Sequence, residues 1–394
     1  MDIICFSINA WEKRRARKQQ FMLYLSQRQD VGGVLYVEPS LNIWRLIFMP
    51  VTELGNKESR SRWLRALSFK PKRVTDKLLV FTPIFFIPFA FRFHIIYKIN
   101  LYFLYLRIRS LAKREGLKNE VIWLYHPFDW PLLEWFKERS LACFDWAEEW
   151  AEYFTEYSNE RRSDIRKMEE DIISRVDLVF VVSRALLEPA KALNKNSYHI
   201  YDGTAPELFA KEYTQPPSDL KNIRHPIIGY LGTVSSRMDI ELVRVLSERL
   251  PQFSFVFVGD IHSERVDISQ LKGIANIFFL GGKPYEELPR YAAFFDVSLL
   301  PYKPLLFTSP PTKIFDYLAS GKPIVSTLLP ELGFLKGFIY EAKNVDEFEA
   351  NIKKALEEDT PQAAIRRRDK AKENSWARRA QEIAALINDN AKLL

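Results

Sequence analysis

A chain of 394 residues, 47% hydrophobic and 27% charged, is long enough for two α/β domains and has a folded protein's composition, which excludes intrinsic disorder. Its two cysteines, Cys5 and Cys143, exclude a disulfide framework and a four-cysteine zinc site. The net charge of +7 is uneven: residues 1–120 hold 22 Lys and Arg against 9 Asp and Glu, a net +13, and the other 274 hold 35 against 41, a net −6. The basic part is expected to meet an anion, with nucleic acid, a membrane surface and a phosphorylated lipid as candidates. Met1-Asp2 leads into an apolar run without a basic n-region, so no signal peptide is read and a cytoplasmic location is expected.

Along the chain, Ile3–Phe6 predicts a first buried strand and Arg17–Gln29 a helix. Further strands are expected at Val34–Val37, Val121–Tyr125, Leu141–Phe144, Leu178–Val182 and Tyr198–Tyr201, with helices at Ser163–Arg175 and Ala185–Leu193 between them. Tyr213–Asp219, polar and carrying Pro216 and Pro217, reads as a linker. A second series comes after it, with strands at Ile227–Leu231, Phe253–Val258, Ile277–Leu280, Val297–Leu300 and Ile324–Ser326, and helices at Asp239–Leu250 and Thr312–Ser320. Continuous apolar strands alternating with helices predict parallel sheets covered on both faces. The fold class is therefore α/β, with two Rossmann-like doubly wound domains at 1–215 and 216–375, followed by 376–394. Such sheets bind ligands beyond the carboxyl ends of their strands, so an interdomain cleft is the default site.

Residues 60–114 raise the membrane question. Arg60, Arg62, Arg65, Lys70, Lys72 and Arg73 alternate with Trp63, Leu64, Leu67 and Phe69, and Leu78–Phe91 is an uncharged apolar run containing Pro83 and Pro88. It falls short of the roughly 20 apolar residues that a spanning helix needs. Ile95–Leu106 is apolar nearly all round and is followed by Arg107, Arg109, Lys113 and Arg114. Such a helix is either buried or lies in a bilayer interface, its basic end meeting anionic headgroups. Peripheral contact with the inner face of the cytoplasmic membrane is the expectation, with Arg107 and Arg109 as contacts. Basic residues mixed with bulky apolar ones do not suit a nucleic-acid groove, so no nucleic-acid partner is expected.

The chain contains no GxGxxG, no GxxxxGK[ST], no HExxH and no Asp-x-Asp, and its five histidines are scattered. These absences argue against a standard dinucleotide oxidoreductase and a metal-dependent hydrolase. The most informative stretch is Thr308–Val325. There a Ser/Pro/Thr turn feeds a helix whose first turn carries Lys313 and Asp316. Free N–H groups at the helix start hold phosphate, Lys313 adds a cation, and Asp316 suits ribose hydroxyls. The plainer reading is a capped surface helix with a first-turn acid.

This stretch resembles the donor-site motif of GT-B glycosyltransferases of the large retaining group 1 (family 4-like) class, which includes teichuronic acid and capsular polysaccharide enzymes. The pattern P-x-K-x-x-E-Y-x-A-x-G-x-P-V is met by Pro311, Lys313, Asp316, Tyr317, Ala319, Gly321, Pro323 and Ile324. Ile228–Thr233 resembles the first strand and loop of the family's nucleotide-sugar domain, and Val258–Asp260 and Phe279–Gly282 its later strand ends. Phe144–Trp150 is similar to the Y-D-x-x-D-x-W stretch of the teichuronic-acid branch, and Trp376 with Arg378 to the closing helix that crosses back to the first domain. Two departures stand out: Thr308 occupies the first acidic position of the family's E-x7-E motif, and Asp316 is one methylene shorter than the usual Glu.

The resemblance implies a glycosyltransferase taking a sugar from a UDP- or GDP-sugar to a lipid-linked or polysaccharide acceptor in cell-surface glycan synthesis. A nucleotide-sugar epimerase of the same fold and a non-catalytic peripheral membrane protein are the alternatives. Donor contacts are expected at Gly232, Arg237, Gly259, Gly281, Ser309, Thr312, Lys313 and Asp316. These cations need no metal ion and no further cofactor to meet a diphosphate leaving group. Asp145, Glu148 and His126 are the candidates for catalysis on the acceptor side, although His126 reads more readily as a satisfied structural histidine near Pro127 and Trp130. Trp11, Arg14, Arg15 and Arg17 in the first βα loop suit an acceptor phosphate; the alternative is a solvated basic loop.

Overall fold

The computed structural model describes residues 1–12, 16–55, 57–89, 93–148, 150, 158–262, 266–304 and 309–391. The chain divides into two compact units, Met1–Tyr201 with Arg379–Leu394, and Asp202–Arg378.

In the first unit the strands are β1 (Asp2–Phe6), β2 (Val34–Val37), β3 (Leu41–Asn42), β4 (Lys72–Thr75), β5 (Leu78–Phe81), β6 (Ile84–Phe85), β7 (Glu120–Leu124), β8 (Leu141–Trp146), β9 (Leu178–Val181) and β10 (Ser197–His199). Eight of them form one sheet in the order β10-β9-β8-β7-β1-β2-β5-β4, and β3 pairs with β6 separately. The pairings from β10 through β5 are parallel, and β4 closes the edge antiparallel to β5. Residues such as Ile4, Leu35, Ile122, Ala142 and Val179 are fully buried, because helices cover both faces.

Leu78–Phe81, part of the uncharged run Leu78–Phe91 to which the sequence reading gave no element, is a core strand, paired in register from Val34↔Leu78 to Val37↔Phe81. A short uncharged run looks the same whether it seeks lipid or lies inside a parallel sheet, and only its neighbours separate the two.

The helix His94–Arg114 is buried along one face only. Tyr97, Leu101, Leu104, Ile108 and Leu111, three or four residues apart, are buried against the sheet. The face opposite leaves Ile95, Ile99, Tyr102, Phe103 and Leu106 exposed. No described helix is long and apolar enough to cross a membrane.

The second unit is built on β11 (Ile227–Leu231), β12 (Ser254–Val258), β13 (Ile277–Phe279), β14 (Val297–Leu300), β15 (Ile324–Thr327) and β16 (Tyr340–Ala342). Their order is β13-β12-β11-β14-β15-β16, parallel throughout. The polar edge strand β16 was not expected. The division between the units falls at Tyr201, ahead of residue 215, because residues 202–219 pack within the second unit. Phe209 is buried with its ring 5.9 Å from that of Tyr285. Asp219, at the end of the stretch read as a linker, pairs with Lys283 at 2.8 Å and accepts a hydrogen bond from Tyr291.

In the middle of β11, Gly229 leaves room for the buried ring of Phe295; a Cβ there would lie 2.2 Å from that ring. Gly229→Ala is expected to cost about 1–3 kcal/mol in chemical denaturation. A variant as stable as the wild type would show that the ring moves aside freely.

Candidate functional site

The second unit gathers its polar side chains where β11 ends. Gly232 follows the strand with φ +118, a conformation that favours glycine, and its N–H donates to Val258 O at 2.8 Å. The β12 end is equally close, since a Cβ on Gly259 would lie 2.1 Å from Gly232 O. Into this junction comes Lys313, the first residue of the helix Lys313–Ser320. Its Nζ donates to the Tyr230 hydroxyl at 2.6 Å and lies 4.0 Å from the Tyr230 ring centroid and 5.3 Å from that of Tyr302. A Cβ at position 232 would stand 2.7 Å from the ammonium, so glycine there keeps the cation uncovered on that side. Tyr317 locks the helix to the strand by accepting from Leu231 N at 2.7 Å.

One turn into the helix, Asp316 is buried, and its Oδ1 accepts from the Thr204 hydroxyl at 2.6 Å and from Tyr285 at 3.3 Å. Burial pushes its carboxyl up to about 7, against those hydrogen bonds and the Lys313 charge, which pull it down. Thr312 donates its hydroxyl to Asp202. Exposed Arg237 lies near enough for its charge to act on Tyr302. The structure thus brings Gly232, Gly259, Lys313 and Arg237 around the β11 end, with Thr312 and Asp316 on the adjoining helix. Gly281 has φ +72 with open space around it, and neither it nor half-buried Ser309 is tied to Lys313. Thr308 lies outside the described residues.

The first unit also collects polar groups at its strand ends, with a different outcome. Asp145, on β8, accepts Nε and Nη2 hydrogen bonds from Arg17, each at 3.0 Å, and both residues are buried. Arg17 also donates to Ile200 O at 2.8 Å and lies over the Phe21 ring. The expected base and the expected phosphate grip therefore neutralise each other in the core. Glu148 is paired with Lys18 at 3.3 Å. Trp11 donates its backbone N–H to Glu38 at 2.6 Å and sets its ring edge-on to Tyr36. Arg15, like Arg14, lies outside the described residues. Arg107 donates to Phe69 O and lies over Phe81, and Arg109 pairs with Glu138 at 3.1 Å and Glu120 at 3.7 Å. These contacts tie the two arginines to the rest of the unit.

His126 lines a cavity of about 270 Å³ beside Glu38, Tyr97, Asp129 and Trp150. Its Nδ1 accepts from Phe128 N at 3.3 Å, which leaves the proton on Nε2. Burial pulls its pKa down to about 3, so at neutral pH it is a hydrogen-bond donor to the cavity and not a base. Asp129 is the carboxyl group to notice: it accepts from the Tyr97 hydroxyl at 2.7 Å, and burial pushes it up to about 7. Sequence reasoning missed both Asp129 and Glu38. Each follows a buried strand within a few residues, the same signal that selected Asp145. Tyr230, Tyr302, Tyr285 and Thr204 were missed because hydroxyls on distant segments carry no local motif.

Two expectations separate these roles. Asp145→Asn leaves the buried Arg17 guanidinium without its carboxylate, and about 3–5 kcal/mol of stability should be lost in urea denaturation. Unchanged stability with abolished activity would instead return Asp145 to catalysis. Asp316 carries a proton in the folded chain that an unfolded aspartate releases near its ordinary 3.8, so its contribution to stability falls as pH rises from about 4 to about 7. Asp316→Asn keeps the acceptor oxygen without the charge. It should match the wild type near pH 5 and exceed it near pH 8 by on the order of 1–3 kcal/mol; a pH-independent difference would contradict the buried carboxyl.

Residues 225–358 match the family described as glycosyl transferases group 1. A Bacillus subtilis (strain 168) protein bearing the name teichuronic acid biosynthesis glycosyltransferase TuaH is 27% identical over 209 residues, 50% of this chain and 53% of that one. The match thus spans about half the length of that relative. Sucrose-phosphate synthase from Thermosynechococcus elongatus is similar in structure, with a TM-score of 0.68 at 14% identity over 98% of both chains. Anabaena HepE in complex with UDP-glucose gives 0.66 at 14% identity, over 99% of this chain and 100% of that one. An α,α-trehalose-phosphate synthase from Burkholderia xenovorans gives 0.66 at 12% identity, over 98% and 99%. The chain therefore has the GT-B fold of two Rossmann-like units, and the stretch that matches the group 1 glycosyl transferase family lies in the second.

Proposed function

We propose that this protein is a glycosyltransferase that moves a sugar from a nucleoside-diphosphate sugar, UDP-linked as in the HepE complex, onto a lipid-linked or polysaccharide acceptor of the cell surface. The observation that carries this reading is the Lys313 ammonium, held by Tyr230 against Gly232 at the start of a helix. A diphosphate leaving group gains negative charge as the glycosidic bond breaks, and a fixed cation beside helix N–H groups stabilises that charge in the transition state. Arg237 supplies a second positive charge near Tyr302. These cations meet the charge of the diphosphate without a metal ion.

Asp316 is the ribose contact in this reading, one turn along from the phosphate end. The outcome is retention: the departing phosphate takes the acceptor proton, so no strong base is required on the acceptor side. That agrees with an Asp145 engaged by Arg17 and a His126 that donates. The acceptor's reacting end is assigned to the cavity in the first unit, where the His126 Nε2–H, Asp129 and Trp150 offer a donor, an acceptor and an aromatic wall. Teichuronic-acid-type glycan synthesis is the favoured setting, on the strength of the relative's name.

Calorimetric titration with UDP and GDP in buffer containing EDTA tests the donor site. UDP should bind without added metal, and Lys313→Ala should weaken it about 10–100-fold, the effect of removing one charge-assisted contact. Failure of the wild type to bind either nucleotide, or equal affinity in the variant, would overturn the reading.

A further inference from the structure

Among the described residues, sixteen of the nineteen large apolar side chains left exposed lie between Trp44 and Leu106. They come from separate segments that the fold brings together. The helices Ile43–Phe48 and Pro50–Leu54 contribute Phe48, Met49 and Val51, with Phe48 73% and Val51 84% exposed. Trp44 stacks on Phe48 and donates its indole N–H to Phe86 O at 2.8 Å. Phe86 in turn stacks on Phe69, whose carbonyl takes the Arg107 guanidinium of the helix His94–Arg114. That helix adds Ile95, 71% exposed, with Ile99, Tyr102, Phe103 and Leu106. These contacts gather the exposed apolar side chains of several segments, where an ordinary surface shows them singly.

The charge on these elements is mostly positive, with Glu53, paired to Arg45, and Glu58 as the acids of the helices Pro50–Leu54 and Lys57–Ser68. The helix His94–Arg114 contains Lys98, Arg107, Arg109, Lys113 and Arg114 and no Asp or Glu, and exposed Lys57 and Lys70 belong to the segments beside it. A symmetric contact with a second copy of this chain would set like charges against each other across an apolar centre. Anionic lipid headgroups complement them, and the apolar side chains, rich in Phe, Tyr and Trp, suit the boundary between headgroups and acyl chains.

We infer that this face seats the first unit on an anionic bilayer surface, with the side chains of Phe48, Val51, Ile95 and Phe103 entering the lipid and the lysines meeting headgroup phosphates. No nucleotide takes part in this contact, so it stands or falls separately from the donor chemistry.

Flotation with vesicles of phosphatidylcholine containing about one third phosphatidylglycerol, against phosphatidylcholine alone, reads it directly. The wild type should float with the anionic vesicles and lose binding as salt is raised. Ile95→Glu/Phe103→Glu and Phe48→Glu/Val51→Glu should each bind at least about tenfold more weakly, with unchanged thermal melting, since all four positions are exposed. Equal recovery of wild type and both variants, or equal recovery with and without phosphatidylglycerol, would overturn the proposal. So would a wild-type dimer in light scattering that Ile95→Glu/Phe103→Glu turns into a monomer.

Discussion

The contact on which the proposed chemistry depends is the one between the Lys313 ammonium and the Tyr230 hydroxyl, 2.6 Å apart beside Gly232. A lysine at a helix start would ordinarily swing into solvent, its charge spread over many rotamers. Here two tyrosine rings flank it and a hydroxyl accepts from it, so the charge stands at one point. Tyr317 fastens the helix to β11, and glycine at 232 keeps a side chain off the cation on that side. A preorganised charge of this kind is what a departing diphosphate requires, because nothing must rearrange as the bond breaks.

Both units obey the same rule, that polar side chains gather past the carboxyl ends of parallel strands, but pairing decides what each group becomes. Asp145 meets Arg17 and turns into internal architecture. Glu38 accepts from Trp11 and Thr82, with Arg62 and Arg65 at 3.6 and 3.7 Å, and ties the first loop to its neighbours. Glu169 accepts both from the Trp146 indole and from Trp150 N, each at 2.8 Å, and sets the wall of the cavity. Asp129 and Asp316 accept from tyrosine and threonine hydroxyls, and burial raises both to about 7. Carboxyl groups poised near neutrality are the ones whose protonation a bound ligand can change.

Much of this was legible in the amino-acid order. Strands from Ile3–Phe6 to Ile324–Ser326 announced themselves as apolar runs, and the helix from Lys313 to Gly321 carried its own start and stop signals. What stayed hidden was long-range. Lys313 and Tyr230 stand 83 positions apart, and Arg17 and Asp145 stand 128 apart, so no local pattern shows that either pair meets. Leu78–Phe81 went unassigned for a related reason: an uncharged run does not say whether its neighbours are strands or lipid. The amphipathic division of His94–Arg114 was equally invisible, because both of its faces are apolar and only packing separates the covered one from the bare one.

The most direct measurement is a crystal structure of the protein with UDP. The account predicts the diphosphate against Gly232, with a phosphate oxygen within about 3 Å of Lys313 Nζ and the ribose toward Asp316. A nucleotide bound away from the β11 end, with no phosphate oxygen near the ammonium, would contradict it.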